Sequence, residues 1–144
     1  MKIIGVKKIK VRSFRNPKGN LYKYVSKKNF YFKSFGEIYL NEINYKKQKG
    51  WILHKKNLCI ITVSYGKVKF KLVDGRKKSK SFNKEDNITM STKNHSVLVI
   101  PPGVWFSFAT DSKKAVILNL IDRVHSDKEA TKKSSLKMYL KLEI

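Results

Sequence analysis

Lys49-Gly50-Trp51-Ile52-Leu53-His54-Lys55-Lys56 and Val99-Ile100-Pro101-Pro102-Gly103-Val104-Trp105-Phe106 are the two stretches that decide the fold. In the first, a glycine turn feeds a short apolar strand that ends in a histidine. In the second, a Pro-Pro-Gly turn feeds an aromatic strand. Two or three further strand-like runs lie between them, and that arrangement suits a small β-barrel with a site in its mouth. His54 is the residue on which a functional reading turns.

Working outward, short apolar runs recur with period two and are punctuated by turn residues. Lys2 to Val11 reads as an edge strand. Asn16-Pro17-Lys18-Gly19-Asn20 is a turn, followed by Leu21 to Val25. Phe35 to Ile43 and Trp51 to His54 are the next strands. Cys59–Ser64 and Lys67–Val73, on either side of Tyr65-Gly66, read as a hairpin, the second strand setting lysines against Val68, Phe70 and Leu72. Asn87–Met90, Val97–Ile100, Trp105–Ala109 and Ala115–Ile121 complete the set, and only the tail from about Ser126 to Tyr139 has room for a helix. Many short strands at even spacing make a sandwich or barrel.

The chain has 144 residues, enough for one domain with its own core. Cys59 is the only cysteine, which excludes an internal disulfide; in the run Leu58-Cys59-Ile60-Ile61 it reads as a small buried hydrophobe. No stretch approaches the roughly eighteen apolar residues of a membrane span, and the N-terminus has no signal-peptide pattern. A cytoplasmic protein without membrane contact is expected. The net charge of +23 invites a nucleic-acid reading. However, the positive charge is almost all lysine spread from end to end, whereas phosphate and base readers rely on the planar fork of arginine, of which there are four: Arg12, Arg15, Arg76 and Arg123. That distribution suits a solvated surface better than a nucleic-acid interface.

The collinear series Ile3-Ile4-Gly5-Val6, Lys18-Gly19-Asn20-Leu21, Phe35-Gly36-Glu37-Ile38-Tyr39, Lys49 to His54, Ile100-Pro101-Pro102-Gly103 and Leu118-Asn119-Leu120-Ile121-Asp122 resembles the dTDP-4-dehydrorhamnose 3,5-epimerase group of cupins. His54-Lys55-Lys56 and Gly103-Val104-Trp105 are also similar to the dTDP-4-keto-6-deoxyhexose 3,4-ketoisomerases. The resemblance implies an all-β jelly-roll barrel in a single cupin domain over 1–144, with a helical or irregular tail over 126–144. It implies a homodimer that exchanges strands within residues 1–25, and a nucleotide-diphosphate sugar, a dTDP-sugar, as the bound partner. No cofactor and no metal are implied, and the setting is surface-polysaccharide biosynthesis.

Chemistry next to a ketone needs a base of near-neutral pKa and a donor or cation for the enolate oxygen. His54 is the expected base. Lys18, Tyr39, Trp51, Lys55, Lys56, Trp105 and Asn119 are the expected substrate contacts: Lys18 toward the diphosphate, the aromatics for stacking, Asn119 as a polar residue inside an apolar strand. Lys55, Lys56 or Tyr39 would steady the enolate. His95 and His125 fall in turn-like surroundings and take no role.

The departures from the resemblance are equally specific. The epimerases' enolate lysine falls at Cys59, their proton-returning tyrosine at Leu118 and a second histidine at Phe106, while the carboxylate that orients the base has no counterpart. The first histidine of the ketoisomerase pair falls at Ile52. One imidazole without histidine or glutamate neighbours does not hold a metal. Two other readings therefore stand beside an enzyme: a catalytically silent sugar-nucleotide-binding cupin and a basic nucleic-acid-binding protein.

Overall fold

A computed structural model describes residues 1–134. Twelve strands run through them: β1 (Lys7–Lys10), β2 (Arg12–Phe14), β3 (Leu21–Lys23), β4 (Glu37–Asn44), β5 (Gln48–His54) and β6 (Cys59–Tyr65), then β7 (Lys67–Asp74), β8 (Glu85–Ser91), β9 (Ser96–Ile100), β10 (Val104–Ala109), β11 (Lys114–Ile121) and β12 (Ala130–Lys132). Two five-stranded sheets, ordered β1-β9-β6-β11-β4 and β12-β5-β10-β7-β8, face each other, and β2 pairs with β3 in a separate ribbon. All pairings are antiparallel, and the molecule is a jelly-roll-like sandwich without a helix among the described residues.

The core follows from alternation. On β7, Val68, Phe70 and Leu72 point inward while Lys67, Lys69 and Lys71 stay in water. On β11, Ala115, Ile117, Asn119 and Ile121 are buried and the residues between them are half-covered. These inward residues join Ile43, Ile61, Val63, Phe106 and Phe108 in the main core. A second cluster, with Val11, Tyr31, Ile60, Val97 and Val99, lies on the outer face of the first sheet. The N-terminal ribbon helps to cover it through Tyr22 and Tyr24.

Three expectations change. β6 and β7 do not form a hairpin, because β6 pairs with β9 and β11 whereas β7 pairs with β8 and β10. From Cys59 to Val63 every residue of β6 is buried, so both faces are covered and it takes an inner position. Gly66, at φ 74°, carries the chain from one sheet to the other; a Cβ there would stand 2.6 Å from the Lys114 carbonyl oxygen. The expected strand over Lys2–Val11 is shorter, beginning at Lys7. Ahead of it, Ile3 and Val6 turn into the core. Finally, the part of the tail described here holds a turn and β12 rather than a helix, since β12 finds a partner in β5; residues 135–144 lie outside the described residues.

The N-terminal turn is pinned by a polar knot. Asp86 accepts from the Lys2 and Ile3 amides, Ser81 Oγ from the Ile4 amide, and the Ile4 carbonyl accepts from Arg76 Nη2 at 2.6 Å. Behind them Asp74, wholly buried, accepts from Arg76 Nε at 2.8 Å and from Ser81 Oγ at 2.6 Å. Burial alone would raise this carboxyl, but the Arg76 and Ser81 hydrogen bonds bring it down to about 2.

Candidate active site

The pleat of β5 sorts its residues. Ile52 packs against the main core, and His54, two residues on, shares that face. Trp51 and Leu53 point the other way. His54 is 5% exposed and its ring stacks on Phe106, with centroids 6.1 Å apart and planes at 21°. The Pro-Pro-Gly turn is stitched to the end of this strand, the Gly103 amide donating to the His54 carbonyl at 2.7 Å. The imidazole therefore looks into the sandwich, not into bulk water.

Glu129 completes it. The sequence offers no obvious orienting carboxylate, yet β12 pairs with β5 in the register Ala130↔His54, and the residue just before β12 is Glu129. Its Oε2 lies 2.7 Å from His54 Nδ1, and its Oε1 accepts from the Lys56 and Asn57 amides, each at 3.0 Å. Burial pushes Glu129 upward, but the His54 hydrogen bond and these two amides outweigh it and hold the carboxyl below its ordinary value. An ionised carboxylate only accepts, so Nδ1 carries the proton and Nε2 presents a lone pair. Nε2 has no hydrogen bond among the described residues. The expectation that no orienting carboxylate remains is thus corrected. The signal is faint: Glu129 is one of only ten acidic residues against 33 basic ones, set among Lys128, Lys132 and Lys133.

Across from β5, the first sheet presents Tyr39 on β4 and Asn119 on β11, directly opposite each other in register. Asn119 is 2% exposed; its Nδ2 donates to Tyr39 Oη at 2.8 Å and its Oδ1 has no partner. Cys59 sits on β6, fully buried, and burial pushes its thiol up to about 12. It is therefore a neutral group and supplies no positive charge for an enolate. Burial likewise pushes the Tyr39 phenol up to about 12. Cys59 follows His54 by five residues and pairs with Ile121, and Tyr39 stands opposite Asn119 on that same strand, so both lie toward the end of the sandwich that holds the His54–Glu129 pair.

The other expected contacts are distributed differently. Leu118, where the resemblance sets the epimerases' tyrosine, lies on the outer face of β11, and its inward neighbour is Asn119. Trp105 is buried beside Val73, with Trp51 and Leu53 packed against the pair, in a cluster on the face of the second sheet opposite His54. The two tryptophans therefore do not line the interior. Trp51 also borders a cleft of about 350 Å³ with Asn41, Lys49, Ile52, Phe108 and Lys132. Lys55 and Lys56 border a cleft of about 270 Å³ with Asn57, Arg123, Lys128 and Glu129, immediately behind the pair. Lys18 is exposed in the β2–β3 turn, its amide donating to Asn16 Oδ1, and no contact links it to His54. His125 is exposed as expected, but His95 is not: Tyr22 stacks on it at 3.7 Å and Tyr24 Oη bonds its Nδ1. Among the described residues no group of three or more His, Cys, Asp or Glu side chains converges as metal ligands would. No helix among them is long and apolar enough to cross a membrane.

A buried histidine held by a carboxylate, facing a phenol and an amide inside a jelly roll, can be compared with known proteins. A dTDP sugar isomerase from Desulfovibrio desulfuricans G20 superposes with a TM-score of 0.86 at 28% identity, covering 92% of this chain and 85% of that one. The dTDP-4-dehydrorhamnose 3,5-epimerase from Bacillus anthracis str. Ames, solved with TDP and PPi bound, gives 0.83 at 21% identity, with 89% and 78% covered. The dTDP-6-deoxy-D-glucose-3,5-epimerase from Legionella pneumophila Philadelphia 1, in complex with dTDP-4-keto-L-rhamnose, gives 0.87 at 18% identity, with 97% and 78% covered. At such identities the last two speak for the fold alone. No curated protein matches the chain. The family model described as dTDP-4-dehydrorhamnose 3,5-epimerase matches residues 1–139, nearly the whole sequence, and the chain belongs to that family.

Proposed function

We propose that the protein acts on a dTDP-linked 4-keto-6-deoxy sugar and moves a proton on the carbon beside the ketone, as a cytoplasmic step toward surface polysaccharide. The observation that carries this reading is the 2.7 Å contact between His54 Nδ1 and Glu129 Oε2 inside the sandwich. A carbon acid next to a carbonyl loses its proton slowly to water, and a positioned base contributes about 10²–10⁴-fold. Glu129 supports such a base twice over. It fixes the tautomer so that Nε2 is the lone pair, and it stabilises the imidazolium that forms. Phe106 gives the ring an apolar wall in place of a second imidazole.

The substrate enters as a dianionic diphosphate, and Lys55 and Lys56 next to the base supply a positive rim. Lys18 would reach the diphosphate only from the ribbon, as part of an assembly. That fits a homodimer in which residues 1–25 are exchanged and the outer face of the first sheet is covered by a second copy. Ile38 and Leu40 on that face are 54% and 57% exposed, and with the half-covered Leu118 and Leu120 they form an apolar strip that one subunit leaves partly in water.

One observation favours a second reading, a silent sugar-nucleotide-binding module: Cys59, which the resemblance aligns with the epimerases' enolate lysine, is a buried neutral thiol. The experiment that separates the two is deuterium exchange from heavy water into dTDP-4-keto-6-deoxyglucose, followed by NMR. Exchange with the wild type that disappears in His54→Ala supports the enzyme. Exchange absent from the wild type, or equal in both proteins, leaves the binding module.

A further inference from the structure

Of the four arginines, Arg76 is bonded to Asp74 and Arg12 lies over the Phe14 ring. Arg123 has no such companion. It stands just past the end of β11 and borders the cleft of about 270 Å³ together with Lys55, Lys56 and Lys128. None of these four side chains makes a hydrogen bond or ion pair among the described residues. The cleft holds one carboxylate, Glu129, and both of its oxygens are taken: Oε2 by His54, Oε1 by the Lys56 and Asn57 amides. Four like charges without a counter-charge repel one another, and an anion among them removes that repulsion. Asn57 adds a second requirement. It is 1% exposed and lines the same cleft; its Nδ2 donates to the Arg123 carbonyl at 3.2 Å, and its Oδ1 has no partner. A buried acceptor without a donor is costly, and a ligand that brings a proton removes the cost. The cleft therefore suits a group that is anionic and also donates.

We propose that this cleft, between the β5–β6 loop and the segment ahead of β12, binds orthophosphate, as a site apart from the one that takes the sugar nucleotide. Near neutral pH orthophosphate carries at least one proton as well as negative charge, so it both accepts and donates. Arg123 offers its planar fork to two of the oxygens, and Lys55, Lys56 and Lys128 act as point charges. Asn57 Oδ1 accepts from the P–OH group. Sulfate has the same tetrahedral shape but no proton to give, so it leaves Asn57 Oδ1 unmatched. The orientation of the imidazole keeps the two sites apart. Glu129 borders the cleft and His54 does not. Glu129 holds the Nδ1 edge of the ring, whereas the lone pair for the sugar is on Nε2. Lys55 and Lys56 draw a diphosphate toward this end of the molecule, but a sugar seated in the cleft would meet Glu129 rather than the base. The loop that supplies these lysines also supplies the two amides on Glu129 Oε1. Bound phosphate thus ties that loop to the segment carrying Arg123 and Lys128, and stabilises the fold by mass action.

The test is calorimetric titration of the full chain with potassium phosphate and with potassium sulfate, at neutral pH and constant ionic strength. Phosphate should fill one saturable site per chain, and sulfate should bind at least about tenfold more weakly. Arg123→Ala and Lys128→Ala should each weaken phosphate at least about tenfold, the weight of one charge-assisted hydrogen bond. Both residues are exposed, so these variants keep the fold even if Asn57→Ala does not. In Asn57→Ala the preference for phosphate over sulfate should vanish. Lys113→Ala, at an exposed lysine outside the cleft, should bind phosphate as the wild type does. Saturating dTDP should leave the phosphate titration in place, and deuterium wash-in without phosphate should be the same in Arg123→Ala as in the wild type. Displacement of phosphate by dTDP assigns the anion to the diphosphate of the substrate and overturns the separate site. Sulfate as tight as phosphate, or a loss in Lys113→Ala equal to that in Arg123→Ala, leaves only diffuse attraction to a chain of charge +23 and overturns it too. Phosphate uptake by a wild type without wash-in removes the proton-abstraction reading and leaves this site standing; wash-in without phosphate binding does the reverse.

Discussion

Glu129 Oε2 and His54 Nδ1 meet at 2.7 Å although 75 residues separate them, because β12 returns to the free edge of β5. The contact is electrostatic and tautomeric rather than a matter of packing. Glu129→Gln preserves size and can still accept from the Lys56 and Asn57 amides, so folding should survive, with a thermal midpoint within a few degrees of wild type. Its amide loses the negative charge and can also pair with Nδ1 through its NH₂ group, which turns the lone pair of the imidazole away from the substrate. Deuterium wash-in at neutral pH should fall on the order of 10²-fold or more. An unchanged rate would show that the carboxylate only closes the loop.

The same pair sets an acid limit. Glu129 is held below its ordinary carboxylate value, so its charge is fully present above that value and is lost as pH falls through the depressed one. Wash-in by the wild type should therefore carry no inflection from Glu129 at neutral pH. The structural contribution of Glu129 should disappear only in acid below 4.5, its ordinary value. A stability titration by denaturant, wild type against Glu129→Gln, should converge there as both side chains become neutral.

Asp74 offers a second titration at a purely structural site. Its carboxyl stands at about 2 against an ordinary 3.8, so the stability it confers is complete above 3.8 and drains away as pH falls toward 2. Asp74→Asn leaves the Arg76 guanidinium facing an amide at the knot that fixes residues 2–4. The cost at neutral pH should be about 3 kcal/mol, the lower end for breaking a buried pair, because Arg76 keeps part of its hydration. Urea midpoints between pH 7 and pH 2 check this. The wild type should decline on acidification and the variant should decline less.

Those two carboxylates also show what was legible beforehand. The strands declared themselves wherever one face is wet, as on β7 and β11, because alternation is then visible. β6 is apolar on both faces, and a continuous run names no partner, so its pairing with β9 and β11 rather than β7 is invisible in the sequence. His54 was readable as the polar end of an apolar strand beside a glycine turn. Glu129 was not, since its role depends on a three-residue strand pairing far along the chain. Leu118 and Asn119 differ by one residue, and in a strand one residue exchanges inside for outside. Trp51 and Trp105 likewise stand one residue from Ile52 and Phe106, which face the main core.

The apolar strip on the outer face of the first sheet predicts an assembly state. Ile38→Lys puts a charge at a position already 54% exposed, so the subunit itself should lose less than about 0.5 kcal/mol. In a dimer that covers the strip, the same charge is stranded at a dry interface. Sedimentation or light scattering should show a dimer for the wild type and a monomer for Ile38→Lys, both folded. A wild type that is monomeric at micromolar concentration removes the proposed exchange of residues 1–25.

Gly50 and Gly19 separate backbone strain from crowding. Both have positive φ, 97° and 132°, where a side chain is strained whatever surrounds it. At Gly19 a Cβ would meet nothing within 4 Å, whereas at Gly50 it would stand 2.7 Å from the Phe106 carbonyl oxygen and 2.9 Å from the Ser107 Cα. Both of those are backbone atoms of β10, at the irregularity where its register with β5 shifts between Phe106 and Phe108. Gly19→Ala should therefore cost about 1 kcal/mol and leave wash-in untouched. Gly50→Ala has to push β5 away from β10. It should cost at least about 2 kcal/mol more, in the range of an overpacked interior, and should slow wash-in as well, since the strand it displaces ends at His54. Equal midpoints for the two variants would show that β5 has room to move, and that the approach of Gly50 to β10 does not position the base.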